Sequence, residues 1–232
     1  MATVILVRHG RSSANTAGVL AGRTEGVRLD DTGQEQADRA GRRISAVRLA
    51  ALVSSPLERC RQTADAVAAA QADTPDVVID DAVSECDYGD WQGRTISDLA
   101  KEPLWKVVQS NPSAAVFPGG ESMSTMSRRA VEAVRRHDAA VTEQHGKDAV
   151  WALVSHGDLI KAILADALGM HLDLFQRINV DPASLSIVRY TPERPYVLAQ
   201  NTHDGDLAWL AKGPGGEGTT GGGAGPAASK DA

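Results

Sequence analysis

Residues 3–15 read TVILVRHGRSSAN, an apolar run over 3–7 followed directly by Arg8, His9 and Gly10. A run with no polar alternation is what a strand buried on both faces requires, as in a parallel sheet. The histidine that follows has a cationic neighbour. A histidine that only packs gains nothing from such a neighbour, whereas one that meets an anion does. Residues 3–7 are therefore expected to form a buried strand with an anion site at its carboxyl end, at Arg8 and His9.

Working outward, the same pattern recurs. A helix is expected from Asp31 with Ala37, Ala40, Ile44 and Val47 on one face, then a strand over 49–54. Pro56 suits the first turn of a second helix, which carries Leu57, Cys60, Ala64 and Val67 at helical spacing. A short strand over 77–79 follows. Residues 122–144 read as a long helix with Met123, Met126, Ala130, Val134 and His137 on one stripe, stopped by Gly146. Residues 149–154 form a further buried strand, 159–168 a helix ended by Gly169, and 185–190 and 196–200 strands at a sheet edge. Strands alternating with helices predict an α/β fold, a three-layer α/β/α sandwich with a mostly parallel central sheet. In such sheets ligands bind beyond the carboxyl ends of the strands. Arg8-His9, Ser54-Ser55, Glu85 and Ser155-His156 all fall at such ends, so one pocket can collect them.

Bulk properties narrow the class. The chain has 232 residues, 42% of them hydrophobic and 23% charged, with net charge −6. That balance argues against nucleic acid or an acidic membrane as partner, so a basic pocket would be a local construction. The apolar run 4–7 is too short for a secretion signal or a membrane span. Cys60 and Cys86 lack metal-type spacing and fit a reducing compartment, so a cytoplasmic location is expected. Residues 213–232 (GPGGEGTTGGGAGPAASKDA) are expected to be a disordered Gly-rich tail behind a single domain over 1–212. Gly119-Gly120 lacks the Lys-Ser/Thr that a phosphate-binding P-loop needs. No carboxylate cluster has metal-ligand spacing. Neither a metal nor another cofactor is expected. His137, His145, His171 and His203 have no partner pattern and receive no role.

Five segments together bear a family resemblance. R-H-G at Arg8–Gly10 resembles the signature of the histidine phosphatase superfamily, which includes the cofactor-dependent phosphoglycerate mutases. S-S-P-L-E-R-C-R-Q-T-A at 54–64 is similar to that family's second arginine motif. E-C-D-Y-G-D-W-Q-G at 85–93 resembles its acid loop, P-G-G-E-S at 118–122 the turn entering its long helix, and V-S-H-G at 154–157 its second histidine motif. The resemblance covers residues 3 to about 210 and implies a phosphoglycerate mutase-like fold. It implies His9 as the nucleophile that takes the phosphoryl group. Arg8, Arg59 and His156 would hold the phosphate oxygens, helped by Asn15 or Ser12, and Glu85 would be the proton donor.

Elementary chemistry agrees with those roles. A histidine nucleophile must be neutral, and neighbouring guanidiniums disfavour its charged form. Phosphoryl transfer is mainly positioning and charge stabilisation, which the arginine fork suits. A poor alkoxide leaving group needs a proton, which a protonated carboxyl group can give. Where family members often carry Glu or Gln after R-H-G, this chain has Arg11. With Arg23 and Tyr88 it is placed at a substrate rim, against the competing reading of solvated arginines and a packed tyrosine. Trp91 is likewise read as packing or as a stacking platform. A phosphomonoesterase is expected, of mildly acidic to neutral optimum and of the acid phosphatase type, acting on a small phosphorylated metabolite. The alternatives are a mutase and a non-catalytic phospho-ligand-binding module. Asp87 and Asp90 beside Glu85 would repel a diphosphorylated acid, and residues 94–117 are short for a cap, which weighs against the mutase. The late strands could support a homo-dimer or higher oligomer by edge pairing.

Overall fold

The apolar runs become the strands of a six-stranded sheet in the computed structural model, which describes residues 1–73, 76–203, 205 and 207. In chain order the elements are β1 (Thr3–Arg8), α1 (Ser13–Ala17), α2 (Asp31–Ile44), β2 (Ala51–Ser54), α3 (Glu58–Ala69), β3 (Val77–Ile79), α4 (Ile96–Leu99) and α5 (Pro103–Ser110). They continue with α6 (Met123–His145), β4 (Val150–Ser155), α7 (Gly157–Ala167), β5 (Leu185–Arg189) and β6 (Tyr196–Thr202). The strand order is β3-β2-β4-β1-β5-β6. The first four strands in that order are parallel, and β5 runs antiparallel to both β1 and β6.

Period-two alternation along each strand divides the core. Val4, Leu6, Leu153 and Val188 face a layer that includes Met126 and Ala130 of α6 and Ile160 and Ile163 of α7. Ile5, Val7, Ala152 and Ile187 face Ala40 and Ile44 of α2 and Ala64 and Val67 of α3. Both sheet faces are thus covered, which is why β1 and β4 read as unbroken apolar runs. The three-layer, mostly parallel architecture is the one expected. Its differences in detail are local. Val47 lies beyond α2 yet is buried, because the chain folds back over the helix end. The helix after β4 begins at Gly157, since His156 occupies the N-cap in an extended conformation. The Gly-rich stretch 213–232 lies outside the described residues.

One close approach positions the loop after β1. A methyl group on Gly33, in the first turn of α2, would lie 1.9 Å from the carbonyl oxygen of Arg11, and one on Gly10 would lie 2.3 Å from that of Gly33. The two backbones touch where no side chain fits. Gly33→Ala is expected to lower stability by about 3 kcal/mol through overpacking, read as a reduced midpoint in urea. An unchanged midpoint would show that α2 can retreat from this loop freely.

Candidate active site

The carboxyl end of β1, Arg59 at the start of α3 after β2, and Gly157 and Asp158 at the start of α7 after β4 meet at one pocket of about 320 Å³. It lies where the chain order reverses, with β4 inserted between β1 and β2, the usual place for a ligand in an open α/β sheet. Arg8 pairs with Ser155 across β1 and β4, so the next residues, His9 and His156, stand side by side. Their rings meet edge to face, with centroids 5.3 Å apart.

His9 is 3% exposed. Its Nδ1 lies 2.7 Å from the carbonyl oxygen of Gly10, and Arg59 Nε donates to its Nε2 at 3.2 Å. A carbonyl can only accept, so Nδ1 carries the proton and Nε2 presents its lone pair. Burial, then the charges of Arg59 and Arg8, hold the imidazole pKa well below its usual value, and the Gly10 carbonyl only partly opposes them. His9 is therefore neutral and in the tautomer that can attack through Nε2.

Arg59, on the first turn of α3, is 2% exposed. Its Nη2 donates to the Gly22 carbonyl at 2.8 Å and to His156 Nδ1 at 3.2 Å. His156 Nε2 in turn meets Ser55 Oγ at 2.8 Å, so this ring carries its proton on Nε2. Burial first, then Arg59, His9, Arg8 and Arg129, keep it neutral too. Arg8 donates through Nη1 to the Val180 carbonyl at 2.7 Å. Two donors remain: Arg8 Nε and Arg59 Nη1 are buried and make no hydrogen bond. A buried N–H left unpaired costs free energy, and two of them on residues that line the same pocket as His9 suit an anion's oxygens.

Glu85 completes the pocket wall. Its side chain is 13% exposed, with Oε1 accepting from the Cys86 amide at 2.9 Å and Oε2 3.8 Å from His156 Nδ1. Burial, with the charge of Asp158 added, pushes its pKa up to about 7 against the pull of Arg59, the Cys86 amide and Arg8. A carboxyl group so placed can give and take a proton near neutrality.

The loop carrying Glu85 is braced by residues that the sequence did not mark. Arg129 of α6 donates to the carbonyls of Ala82, Ser84 and Glu85 at 2.7–3.0 Å and forms a two-point pair with Glu121 at 2.6 and 3.0 Å. Glu121 also accepts from the Asp87 amide. The only trace in the sequence is an arginine flanking the apolar stripe of α6, eight residues after Glu121. Arg129→Ala is expected to lower turnover of alkyl phosphates by about 10²-fold through displacement of Glu85, with Arg129→Lys recovering part of it. A variant with wild-type turnover would show that the loop holds its shape unaided.

Of the other residues expected at the site, Ser12, Asn15 and Tyr88 line the pocket. Ser12 and Asn15 cap α1 reciprocally, with Asn15 Oδ1 taking both the Ser12 amide and hydroxyl. Tyr88 packs edge-on against Phe117 and donates to Asp158 Oδ2 at 2.8 Å. Arg11 and Arg23 are not among the residues that line the pocket. Arg11 turns to Asp30, the N-cap of α2, at 2.7 Å. Arg23 donates to the Glu85 carbonyl at 2.9 Å and to Glu121 at 3.1 Å, serving the brace instead. Trp91 is buried and stacks on Trp105, which is the packing role. Cys60 sits beneath His156, its Sγ 3.4 Å from Nε2, and burial pushes its thiol up to about 12. His137, given no role from sequence, meets Asp80 at 2.7 Å and ties α6 to the end of β3. Among the described residues no His, Cys, Asp and Glu side chains gather into a group able to hold a metal ion. Among the described residues no helix is long and apolar enough to cross a membrane.

Comparison with known proteins bears directly on this geometry. The family model for the histidine phosphatase superfamily (branch 1) matches residues 4–203. Phosphoserine phosphatase 1 of Hydrogenobacter thermophilus is 29% identical over 204 residues, covering 87% of this chain and 92% of its own. The probable phosphoglycerate mutase GpmB of Yersinia pestis is 31% identical over 201 residues, covering 86% and 89%. A bifunctional protein of Mycobacterium tuberculosis is 35% identical over 190 residues, 81% of this chain, which spans about half (50%) of that relative's length. Among solved structures, YhfR of Bacillus stearothermophilus superposes with a TM-score of 0.76 at 25% identity, over 90% of this chain and 100% of its own. A mycobacterial glucosyl-3-phosphoglycerate phosphatase solved with VO3 shares the fold at a TM-score of 0.77 and 24% identity, over 86% and 99%.

Proposed function

Since the chain belongs to the histidine phosphatase superfamily, with phosphatases and phosphomutases among its relatives, we propose that it hydrolyses phosphomonoesters through a phosphohistidine on His9. The observation that carries this reading is the pair of buried, unpartnered donors on Arg8 and Arg59, which line the same pocket as His9. A phosphoryl group placed there gives both donors an acceptor. His9 Nε2 attacks phosphorus; the N–P bond forms as the ester P–O bond breaks. The departing alkoxide takes the proton of the Glu85 carboxyl group. The Glu85 carboxylate then takes a proton from water, whose oxygen attacks phosphorus as the N–P bond breaks. The two arginines supply positive charge and hydrogen bonds to the oxygens throughout, while neutral His156 accepts from Arg59 and holds that guanidinium in place. The partner is a small phosphorylated metabolite, and the location expected from cysteine usage is the cytoplasm.

The mutase alternative shares the first half of this chemistry, and the likeness to GpmB speaks for it. Against it, Arg11 and Arg23, the arginines that could grip a second phosphate, are committed to Asp30, Glu85 and Glu121. The two are separated by following phosphate release from a panel of esters beside interconversion of phosphoglycerates with a diphosphate primer. Release without interconversion is expected. Interconversion faster than release would replace hydrolysis with the mutase reading.

A further inference from the structure

We propose that the outer half of the pocket selects phosphomonoesters whose organic part carries no second anionic group and lays an apolar face on Val19, Leu20 and Ile96; in its kinetic form this rests on the phosphatase reading. Three kinds of observation support it. The first is the allocation of positive charge. The cations lining the pocket are Arg8, Arg59 and Lys161. Arg8 and Arg59 serve the phosphate beside His9. Lys161 Nζ is already engaged: 3.0 Å from Gln176 Oε1, 3.6 Å from the Asp158 carboxylate, and over the Phe175 ring. Among the described residues, no cation in the wall is left for a substrate carboxylate or a second phosphate.

The second is the sign of what remains. Asp158 and Asp181 also line the pocket. A second anion on the substrate would face them with its hydration shell partly removed, which is unfavourable on both counts.

The third is the apolar wall. Val19 bridges Thr95 in antiparallel fashion, and the Ile96 amide donates to the Gly18 carbonyl at 2.9 Å. These bonds clamp the loop after α1 to the start of α4 and bring Ile96 beside Val19 and Leu20 at the pocket. Ile96 is 38% exposed, a large apolar side chain left open on a wall that is otherwise largely polar. An alcohol with an apolar face would cover it and be held by that burial.

The test uses three primary alkyl phosphates, whose leaving groups are alike in kind: 3-phenylpropyl phosphate, glycerol 3-phosphate and 3-phosphoglycerate. The last two differ chiefly in a hydroxymethyl group against a carboxylate. kcat/KM is measured by phosphate release, with nitrophenyl phosphate as a check on hydrolysis itself. Affinities of the same esters are measured by calorimetry on His9→Ala protein, which leaves them intact. The phenylpropyl ester is expected to exceed glycerol 3-phosphate by about tenfold, and glycerol 3-phosphate to exceed 3-phosphoglycerate by about tenfold or more. Ile96→Arg, on an exposed position, is expected to raise 3-phosphoglycerate relative to glycerol 3-phosphate by about tenfold. Equal or better use and binding of 3-phosphoglycerate by the unmodified pocket would overturn the proposal, as would a phenylpropyl ester no better than glycerol 3-phosphate. If even nitrophenyl phosphate is not hydrolysed, the phosphatase reading fails, and the calorimetric order still decides the selectivity.

Discussion

His9→Ala is expected to lower kcat/KM on every phosphomonoester by about 10⁴-fold or more, the scale on which loss of a covalent nucleophile acts. The loss should come without unfolding. The His9 amide still donates to the Ser155 carbonyl at 3.0 Å, so the end of β1 keeps its place. The side chain removed faces the pocket and gives up two hydrogen bonds, from its Nδ1 to the Gly10 carbonyl and from Arg59 Nε to its Nε2. A stability change within about 2 kcal/mol is expected. Rapid quenching with radiolabelled ester should trap an acid-labile phosphoenzyme in the unmodified protein and none in the variant. Turnover within tenfold of the unmodified protein would remove His9 as the nucleophile.

The second large effect concerns Glu85→Gln. An alkyl phosphate should lose about 10²- to 10⁴-fold in kcat/KM, the usual worth of general acid catalysis. Nitrophenolate leaves without a proton, so its release in the first turnover should stay within tenfold. The glutamine cannot activate water, so a burst of nitrophenol equal to the enzyme present should precede a slow steady rate. Equal losses in burst and alkyl turnover would remove Glu85 as the acid. The pH profile carries the same information with a definite sign. Phosphorylation needs the protonated carboxyl group, whose pKa is about 7. For alkyl esters kcat/KM should therefore be held below that pH and fall about tenfold per unit above it. Neutral His9, with its pKa well below the ordinary value, places the acid limb lower still. In Glu85→Gln the alkaline fall should vanish.

The parts of this molecule legible in its sequence are those that depend on local pattern. The unbroken apolar runs of β1 and β4 announced strands covered on both faces, and polar clusters following such runs announced a shared pocket edge. What escaped was decided by partners distant in sequence. The pairing of Arg11 with Asp30 and of Arg23 with Glu121 leaves no sign in the sequence around either arginine. Arg129 looked like an ordinary helix residue, since its acceptors are carbonyls of a loop more than forty residues earlier. Cys60 lies on the apolar helix face expected of it, yet its position beneath His156 depends on how α3 packs against the end of β4, which spacing does not reveal.

β1 lies between β4 and β5, and neither neighbour is adjacent to it in the chain. The first strand of this sheet in chain order is thus among the last to find its partners. Until residues 150–155 and 185–189 are available, a fully apolar segment waits with both hydrogen-bonding edges open. Such late, non-local pairing makes for slow assembly and exposure to aggregation. It also means that His9 and His156 cannot come together in a partly made chain. Phosphoryl chemistry is withheld until the central pairing closes, so the onset of activity during synthesis or refolding should time the completion of the sheet.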